Sequence, residues 1–391
     1  MKHSVCVVTG SRAEFGLLWP LLKRLNEEPC IELRLVVTGS HLSDQFGNTK
    51  KEIEASALPI HAQIPIPIEI DSKVGMTKTT GAAMVAFAEY FDQNIPDLLV
   101  VLGDRYEIFA VSSAAALMGI PIAHIHGGEL TEGAVDDALR HSISKMSWLH
   151  FTACEEYRRR VIQLGESPER VFNVGALGVE NLLHISPMTV EELGKSLEFD
   201  LVGKPFSVVT FHPVTKEENT SGQQLRELIS AMDEHSEMNY IVTLANADAG
   251  GREINKIWAE EAERHENWVV IPSLGARRYI SALKYAEMMI GNSSSGIIEA
   301  PAAHIPTVNI GDRQRGRLMA ESVICCLPEK DAISAAITQA LTPEHQAITR
   351  KMSSPFGDGN TSEQIVKEMI AFLDTKESDH KKAFFNIEVT I

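Results

Sequence analysis

Apolar residues fall in short, nearly unbroken runs along the first half of the chain. "SVCVVTG" (4–10), "ELRLVVTG" (32–39), "DLLVVLGD" (97–104) and "PIAHIHGGE" (121–129) are rich in Val, Ile and Leu, several of them at consecutive positions. Such runs suit parallel strands covered on both faces rather than a sheet with one wet side. Between them the sequence predicts helices over 16–28, 43–56, 77–94 and 106–118. Strands alternating with helices predict a doubly wound parallel sheet with right-handed crossovers. The second half repeats the theme. "PFSVVTFHP" (205–213), "MNYIVTLAN" (238–246), "NWVVIPS" (267–273), "MMIGNSSSG" (288–296) and "PTVNIGDR" (306–313) read as strands, with helices over 221–236, 252–265 and 277–286. The expected class is therefore α/β: two Rossmann-like doubly wound domains. Strand character lapses over 175–205, so the domains are drawn as 1–180 and 181–361.

Length supports two domains, since 391 residues exceed one ordinary core. The composition, 44% hydrophobic and 23% charged, is that of a globular protein. A net charge of -17 argues against nucleic acid or an anionic membrane as partner, but not against a small anionic ligand held by a few arginines and helix N-termini. The start "MKHSVCVVTG" lacks the features of a signal peptide, and no run reaches the roughly 18 apolar residues of a membrane span. The five cysteines, Cys6, Cys30, Cys154, Cys325 and Cys326, form neither a CxxC nor a His–Cys cluster. A reducing cytoplasm and no structural metal are expected.

A doubly wound sheet binds its ligand beyond the C-terminal ends of its strands, and the unusual residues cluster there. Two such edges facing each other would form an interdomain cleft. Arg12 and Glu14 follow the first strand. Asp104 opens "GDRYE" and reads either as a helix N-cap or as a carboxylate reaching into a cleft, while Arg105 and Glu107 read as loop ties. Glu129 follows a strand and two glycines, a placement that capping does not explain. Asp136 and Asp137 begin the next helix, where the dipole favours them; Arg140, His141 and Lys145 on later turns read as helix ion pairs. Three acids from successive strand ends, Asp104, Glu129 and Asp136, would crowd one cavity and supply both an acid and a base near neutrality. His212 ends a strand as a candidate proton carrier. Ser293, Ser294, Ser295 and Gly296 make a hydroxyl-rich turn suited to phosphate, and Glu299 one turn on suits a ribose diol. The turn is neither a Walker loop nor a GxGxxG fingerprint. Arg313, Arg315 and Arg317 either add positive charge nearby or solvate a loop.

Taken together, "GSRAEFG", "GDRYEIF", "HIHGGE", "RHSISKMS", "FHPVT" and "GNSSSGIIEAP", in this order, resemble the bacterial hydrolysing UDP-N-acetylglucosamine 2-epimerases of sialic acid synthesis, from about residue 3 to residue 330. The resemblance implies a GT-B-like fold with the nucleotide sugar between the domains, and a C-terminal helix (362–376) packing back on the N-terminal domain. It implies conversion of UDP-N-acetylglucosamine and water to N-acetylmannosamine and UDP through a 2-acetamidoglucal, with no cofactor. It implies catalytic roles for Asp104, Glu129, Asp136 and His212. Substrate contacts fall to Arg12 across the cleft, Asn292, Ser294, Ser295, Gly296 and Glu299, with the uracil near 272–280. It also implies a homodimer or homotetramer. Two alternatives stand beside it: a hydrolysing 2-epimerase of UDP-2,4-diacetamido-2,4,6-trideoxyglucose on the legionaminic acid route, and a GT-B glycosyltransferase.

Overall fold

The computed structural model describes residues 2–43, 49–68, 72–132, 135–213, 220–245, 251–375 and 381–388. The chain divides into two compact units. Met1–Leu130, Val135–Glu180 and Gly357–Ile391 form the first; Thr131–Ala134 and Asn181–Phe356 form the second.

The strands of the first unit are β1 (His3–Thr9), β2 (Ile31–Thr38), β3 (Ile60–Ile64), β4 (Leu98–Leu102), β5 (Ile122–Ile125), β6 (Leu149–Thr152) and β7 (Val171–Asn173). They lie in the order β3-β2-β1-β4-β5-β6-β7, every neighbour parallel. The helices are α1 (Arg12–Glu27), α2 (Lys50–Ala55), α3 (Lys73–Gln93), α4 (Tyr106–Leu117), α5 (Val135–Met146) and α6 (Glu155–Gln163), while α7 (Leu177–His184) begins in this unit and ends in the second. β4 shows why its run is apolar throughout. Leu98, Val100 and Leu102 enter one core with Leu18 and Leu22 of α1, whereas Leu99 and Val101 enter the other with Phe87 and Ile108. Both faces of the pleat are buried, so no position is left for a polar residue.

The second unit holds β8 (Phe206–Thr210), β9 (Asn239–Thr243), β10 (Trp268–Ile271), β11 (Met288–Gly291), β12 (Thr307–Ile310) and β13 (Val323–Cys326), in the parallel order β10-β9-β8-β11-β12-β13. Its helices are α8 (Val190–Leu197), α9 (Ser221–Glu234), α10 (Gly251–Ala262), α11 (Gly275–Tyr285), α12 (Ser295–Ala302), α13 (Lys330–Leu341) and α14 (Pro343–Lys351). α15 (Thr361–Asp374) belongs to the first unit. Its Ile365, Val366 and Met369 join the core of Leu18, Leu21 and Leu25. Its start is pinned by Glu180, whose carboxylate accepts hydrogen bonds from the Ser362 N–H at 2.6 Å and from the Ser362 hydroxyl. Residues 381–388 also lie on the first unit, where Lys382 Nζ meets the buried Glu166 carboxylate at 2.5 Å.

The α/β class is as expected, but each sheet has strands beyond those read from the sequence. β3, β6 and β7 extend the first sheet past the four expected strands, and β13 extends the second past the five expected. β3 and β13 are edge strands with polar or half-exposed positions; β7 has three residues. β6, "LHFT", hides a fully buried His150 inside its run. The expected helix over 43–56 contracts to α2, preceded by a 3-10 turn at Gly39–Leu42; residues 44–48 lie outside the described ones.

Both sheets reverse direction once, between β1 and β4 and between β8 and β11. At such a switch point the loops leaving two neighbouring strands turn to opposite faces and open a crevice at the C-terminal edge. Four segments leave these strands: 10–14 and 103–107 in the first unit, 211–213 and 292–296 in the second.

Candidate active site

In the first unit the lip after β1 is organised by a carboxylate. Ser11 caps α1, and Glu14 folds back so that its Oε2 accepts the Gly10 N–H at 2.8 Å and the Ser11 hydroxyl at 3.2 Å. Glu14 is buried. Burial, reinforced by the charge of Glu107 and partly offset by Arg105, pushes its carboxyl up to about 7. Across the switch point Arg105 Nε donates to Glu107 Oε1 at 2.6 Å. Glu14, Arg105 and Glu107 thus hold the lip, and for Arg105 and Glu107 that is the loop role read from the sequence. Arg12, the first residue of α1, is half-exposed.

Arg140 organises the next two strand ends. This α5 side chain is only 2% exposed, and a buried guanidinium must be paired to be tolerated. Nη2 binds the Asp104 carboxylate. Nη1 donates to the Glu129 carbonyl at 2.8 Å and lies 3.7 Å from Asp137. Burial works against its charge, yet Asp104 and Glu129 outweigh that and raise its pKa above the ordinary value. The Glu129 carboxylate is itself buried, 3.3 Å from His126 Nδ1. His126 has φ 66°, a left-handed backbone rare for a residue with a Cβ.

The two glycines that follow it explain how the turn is made. A Cβ on Gly127 would lie 2.9 Å from Ser144 Oγ, and one on Gly128 would strike the Tyr157 carbonyl at 2.3 Å. Asp104 and Glu129 are therefore brought together through one arginine. Asp136 lies at an exposed position of α5. Asp137, which the helix dipole would account for, is the residue that meets both Arg140 and His141.

In the second unit His212 and Asn292 clasp each other across the β8–β11 switch point. The His212 N–H donates to Asn292 Oδ1 at 2.7 Å, and Asn292 Nδ2 donates to the His212 carbonyl at 2.8 Å. The Asn292 carbonyl in turn accepts Arg313 Nη1 at 3.0 Å and Gln314 Nε2 at 2.8 Å. Of the three arginines in "GDRQRGR", Arg313 is thus tied beside the serine turn, while Arg315 is exposed. Burial, with the Arg313 charge, pushes His212 down to about 3, so its ring is neutral at working pH. Its Nδ1 meets no hydrogen-bond partner among the described residues. Residues 214–219, next in sequence after Pro213, lie outside the described ones, as do 246–250.

The serine turn opens α12. Ser294 occupies the N-cap position but its side chain makes no capping bond; the Ser293 hydroxyl instead accepts the Ser295 N–H at 3.4 Å. Ser295 Oγ is bonded to Tyr279 Oη, whose phenol is raised by burial and by the nearby Glu299 charge. The Gly296 N–H closes the turn on the Ser293 carbonyl at 3.1 Å, and a Cβ there would meet Thr307 Cγ2 at 2.8 Å. Glu299 is half-buried on the second turn of α12. Among the described residues, no helix is long and apolar enough to cross a membrane.

From sequence, Arg140 reads as a helix ion pair and Tyr279 only as part of the 272–280 stretch expected near the uracil, whereas Asn292 reads as a substrate contact. The buried pairing of Arg140 leaves no mark in a linear pattern, because an arginine among helical charges reads as a solvated face.

Comparison with known proteins adds the following. The family described as UDP-N-acetylglucosamine 2-epimerase matches residues 23–370. The chain is 41% identical over 324 residues to the GDP/UDP-N,N'-diacetylbacillosamine 2-epimerase (hydrolyzing) of Campylobacter jejuni, covering 83% of this chain and 84% of that one. It is 38% identical over 384 residues to the polysialic acid biosynthesis protein P7 of Escherichia coli, covering 98% and 97%. Among solved structures, the UDP-GlcNAc 2-epimerase of Neisseria meningitidis bound to UDP-GlcNAc superposes with a TM-score of 0.80 at 18% identity, covering 94% of this chain and 100% of that one. That likeness shows the fold, the GT-B-like α/β class.

Proposed function

Because the chain belongs to the UDP-N-acetylglucosamine 2-epimerase family, we propose that it is a hydrolysing UDP-sugar 2-epimerase, taking UDP-N-acetylglucosamine and water to N-acetylmannosamine and UDP. The observation that supports this most is the Arg140 cluster. Asp104, Asp137 and the Glu129 backbone converge on one buried guanidinium at the C-terminal ends of β4 and β5. Carboxylates so gathered suit proton removal and return at a carbon that is barely acidic, where a departing UDP supplies the electron demand.

In the proposed sequence a carboxylate takes the C2 proton while the C1–O bond to UDP breaks. The C–H electrons form the C1–C2 double bond, and those of C1–O leave with UDP. Water then adds hydroxide to C1 as a proton reaches the opposite face of C2. We assign the proton chemistry to Asp104, Glu129 and Asp136. Arg140 pairs with Asp104 and fixes the loop that carries Glu129. His212, neutral, would donate a hydrogen bond toward the departing diphosphate rather than a whole proton, and Asn292 would act by holding its backbone. Arg12, Arg313 and the turn of Ser294, Ser295 and Gly296 are assigned to the diphosphate, and Glu299 to the ribose. The same reading places the enzyme in the cytoplasm as a homodimer or homotetramer.

The 41% identical relative favours a second substrate, UDP-2,4-diacetamido-2,4,6-trideoxyglucose, with the same bonds made and broken. NMR of the products from each UDP-sugar in heavy water tests both. The expected product is the free 2-epimeric sugar with deuterium at C2. A sugar released with its original C2 configuration and proton, or transferred intact to an acceptor, would exclude the epimerase and point to plain hydrolysis or glycosyl transfer. Asp136→Asn and Asp137→Asn, compared in turnover, would show which α5 carboxylate serves.

A further inference from the structure

One buried imidazole outside these assignments touches every element that carries the Arg140 cluster. His124 sits in the middle of β5, fully buried. Its Nε2 lies 2.8 Å from the Gly103 carbonyl. A carbonyl only accepts, so this nitrogen bears the proton. Nδ1, 3.0 Å from Ser144 Oγ, is then the acceptor and the serine hydroxyl the donor. Burial pushes the ring down to about 3, partly opposed by its hydrogen bond to the Gly103 carbonyl and aided to a lesser degree by the nearby Arg140 charge. The imidazole is therefore neutral over the working range.

What the partners carry sets His124 apart from an ordinary satisfied core histidine. Gly103 immediately precedes Asp104. Ser144 lies one helical turn beyond Arg140 on α5. The Gly127 Cα approaches so closely that an added Cβ would stand 3.1 Å from His124 Nδ1, and Gly127 lies two residues before Glu129. An apolar residue at 124 would remove the hydrogen-bond partner that His124 gives to the Gly103 carbonyl and to the Ser144 hydroxyl.

We propose that His124 is a positioning residue. Held as the Nε2–H tautomer, it sets the Asp104 loop, the Arg140 face of α5 and the Gly127–Gly128 turn at the mutual spacing the proton transfers require. The inference rests on the epimerase reading for its catalytic consequence. The tautomer and the two hydrogen bonds stand on geometry alone.

Two substitutions separate the bonds. His124→Gln keeps an N–H near the Nε2 position, facing Gly103. His124→Asn keeps an acceptor near the Nδ1 position, facing Ser144, and loses the Gly103 bond. A misplacement of the acid by even 1 Å costs about 100-fold in rate. His124→Asn should therefore lower kcat about 100-fold while leaving KM and the Kd for UDP within about threefold, and His124→Gln should recover most of the loss. Equal kcat in His124→Asn and wild type, or equal losses in both variants, would overturn the proposal. Should His124→Asn fail to fold, Ser144→Ala takes its place: a fall in kcat with KM unchanged is expected, and kcat equal to wild type would overturn the proposal. Long-range 1H–15N NMR of the histidine rings in the wild-type protein gives an independent readout. A neutral Nε2–H ring for His124 from pH 5 to 9 is expected; an Nδ1–H ring or an imidazolium would overturn the proposal whatever the reaction. A wild type inert toward both UDP-sugars would instead sink the reading of function, with the ring signals still deciding the role of His124 in holding the three elements.

Discussion

Arg140 carries the heaviest electrostatic burden of any single side chain in the candidate site. Breaking a buried pair by removing one partner costs about 3–5 kcal/mol, so Arg140→Ala should lower the unfolding midpoint sharply as well as turnover. Arg140→Lys should keep much of the stability but lose the two-pronged contact with Asp104 and the Glu129 carbonyl. A drop in kcat without a matching drop in thermal midpoint is the expected signature, read by calorimetry beside kinetics. Glu14 yields a pH prediction. Its folded pKa, about 7, lies above the ordinary value of 4.5, so between these pH values the folded state holds more protons than the unfolded one. Its contribution is therefore full below about 4.5 and is lost as pH rises through about 7. Glu14→Gln mimics the protonated acid, so the variant should gain on wild type as pH climbs from 5 to 8 in urea titrations. An unchanged difference across that range would refute the raised carboxyl. At this scale Asp104, Glu129 and His212 were legible because a charged or titratable residue directly after an apolar strand is out of place. From sequence, Asp136 reads as the third acid and Asp137 is left to the helix dipole, whereas Asp137 is the one that meets Arg140 and His141. Asp136 and Asp137 lie four and three residues before Arg140, both spacings suit a helix, and only the rotation of α5 in three dimensions selects Asp137 as the partner.

Among the elements, those that run through the middle of a sheet were readable and those at its margins were not. β4 is apolar at every position because both of its faces are covered. β3 reads "IHAQI" with alternating exposure, and β7 is too short for any periodicity to show. β13 pairs its vicinal cysteines with β12 on one side only. The link between α15 and the first unit is an element-scale feature as well. Met369 is wholly buried there, and truncating a core methionine to alanine costs about 2–5 kcal/mol. Met369→Ala should shift a thermal transition assigned to the first unit and leave one assigned to the second in place, as domain-resolved hydrogen exchange would show. Equal shifts in both units would contradict the assignment of α15 to the first core.

For the molecule as a whole, the first unit is discontinuous in sequence and the second nearly continuous. A chain ending at Phe356 would lack Ile365, Val366 and Met369 against Leu18 and Leu21. It should retain protection from exchange over β8–β13 but lose it over β1–β7; protection retained in both would show that α15 is dispensable. Two α/β halves were legible from alternation alone. The ownership of the closing helix came from the family resemblance alone, since an amphipathic pattern shows that a face is buried but not against what.

That ownership has a consequence for biosynthesis. On the ribosome the segment begun first is finished last. After Glu180 emerges, the residues up to Thr361 must still be made before Leu18 and Leu21 find their cover. At about 5–20 residues per second that is a wait on the order of ten to some tens of seconds. During that wait β8–β13 can collapse on their own while the earlier sheet stands open along one side. At that stage the nascent protein would expose the apolar face that Ile365, Val366 and Met369 later cover, the kind of surface chaperones bind.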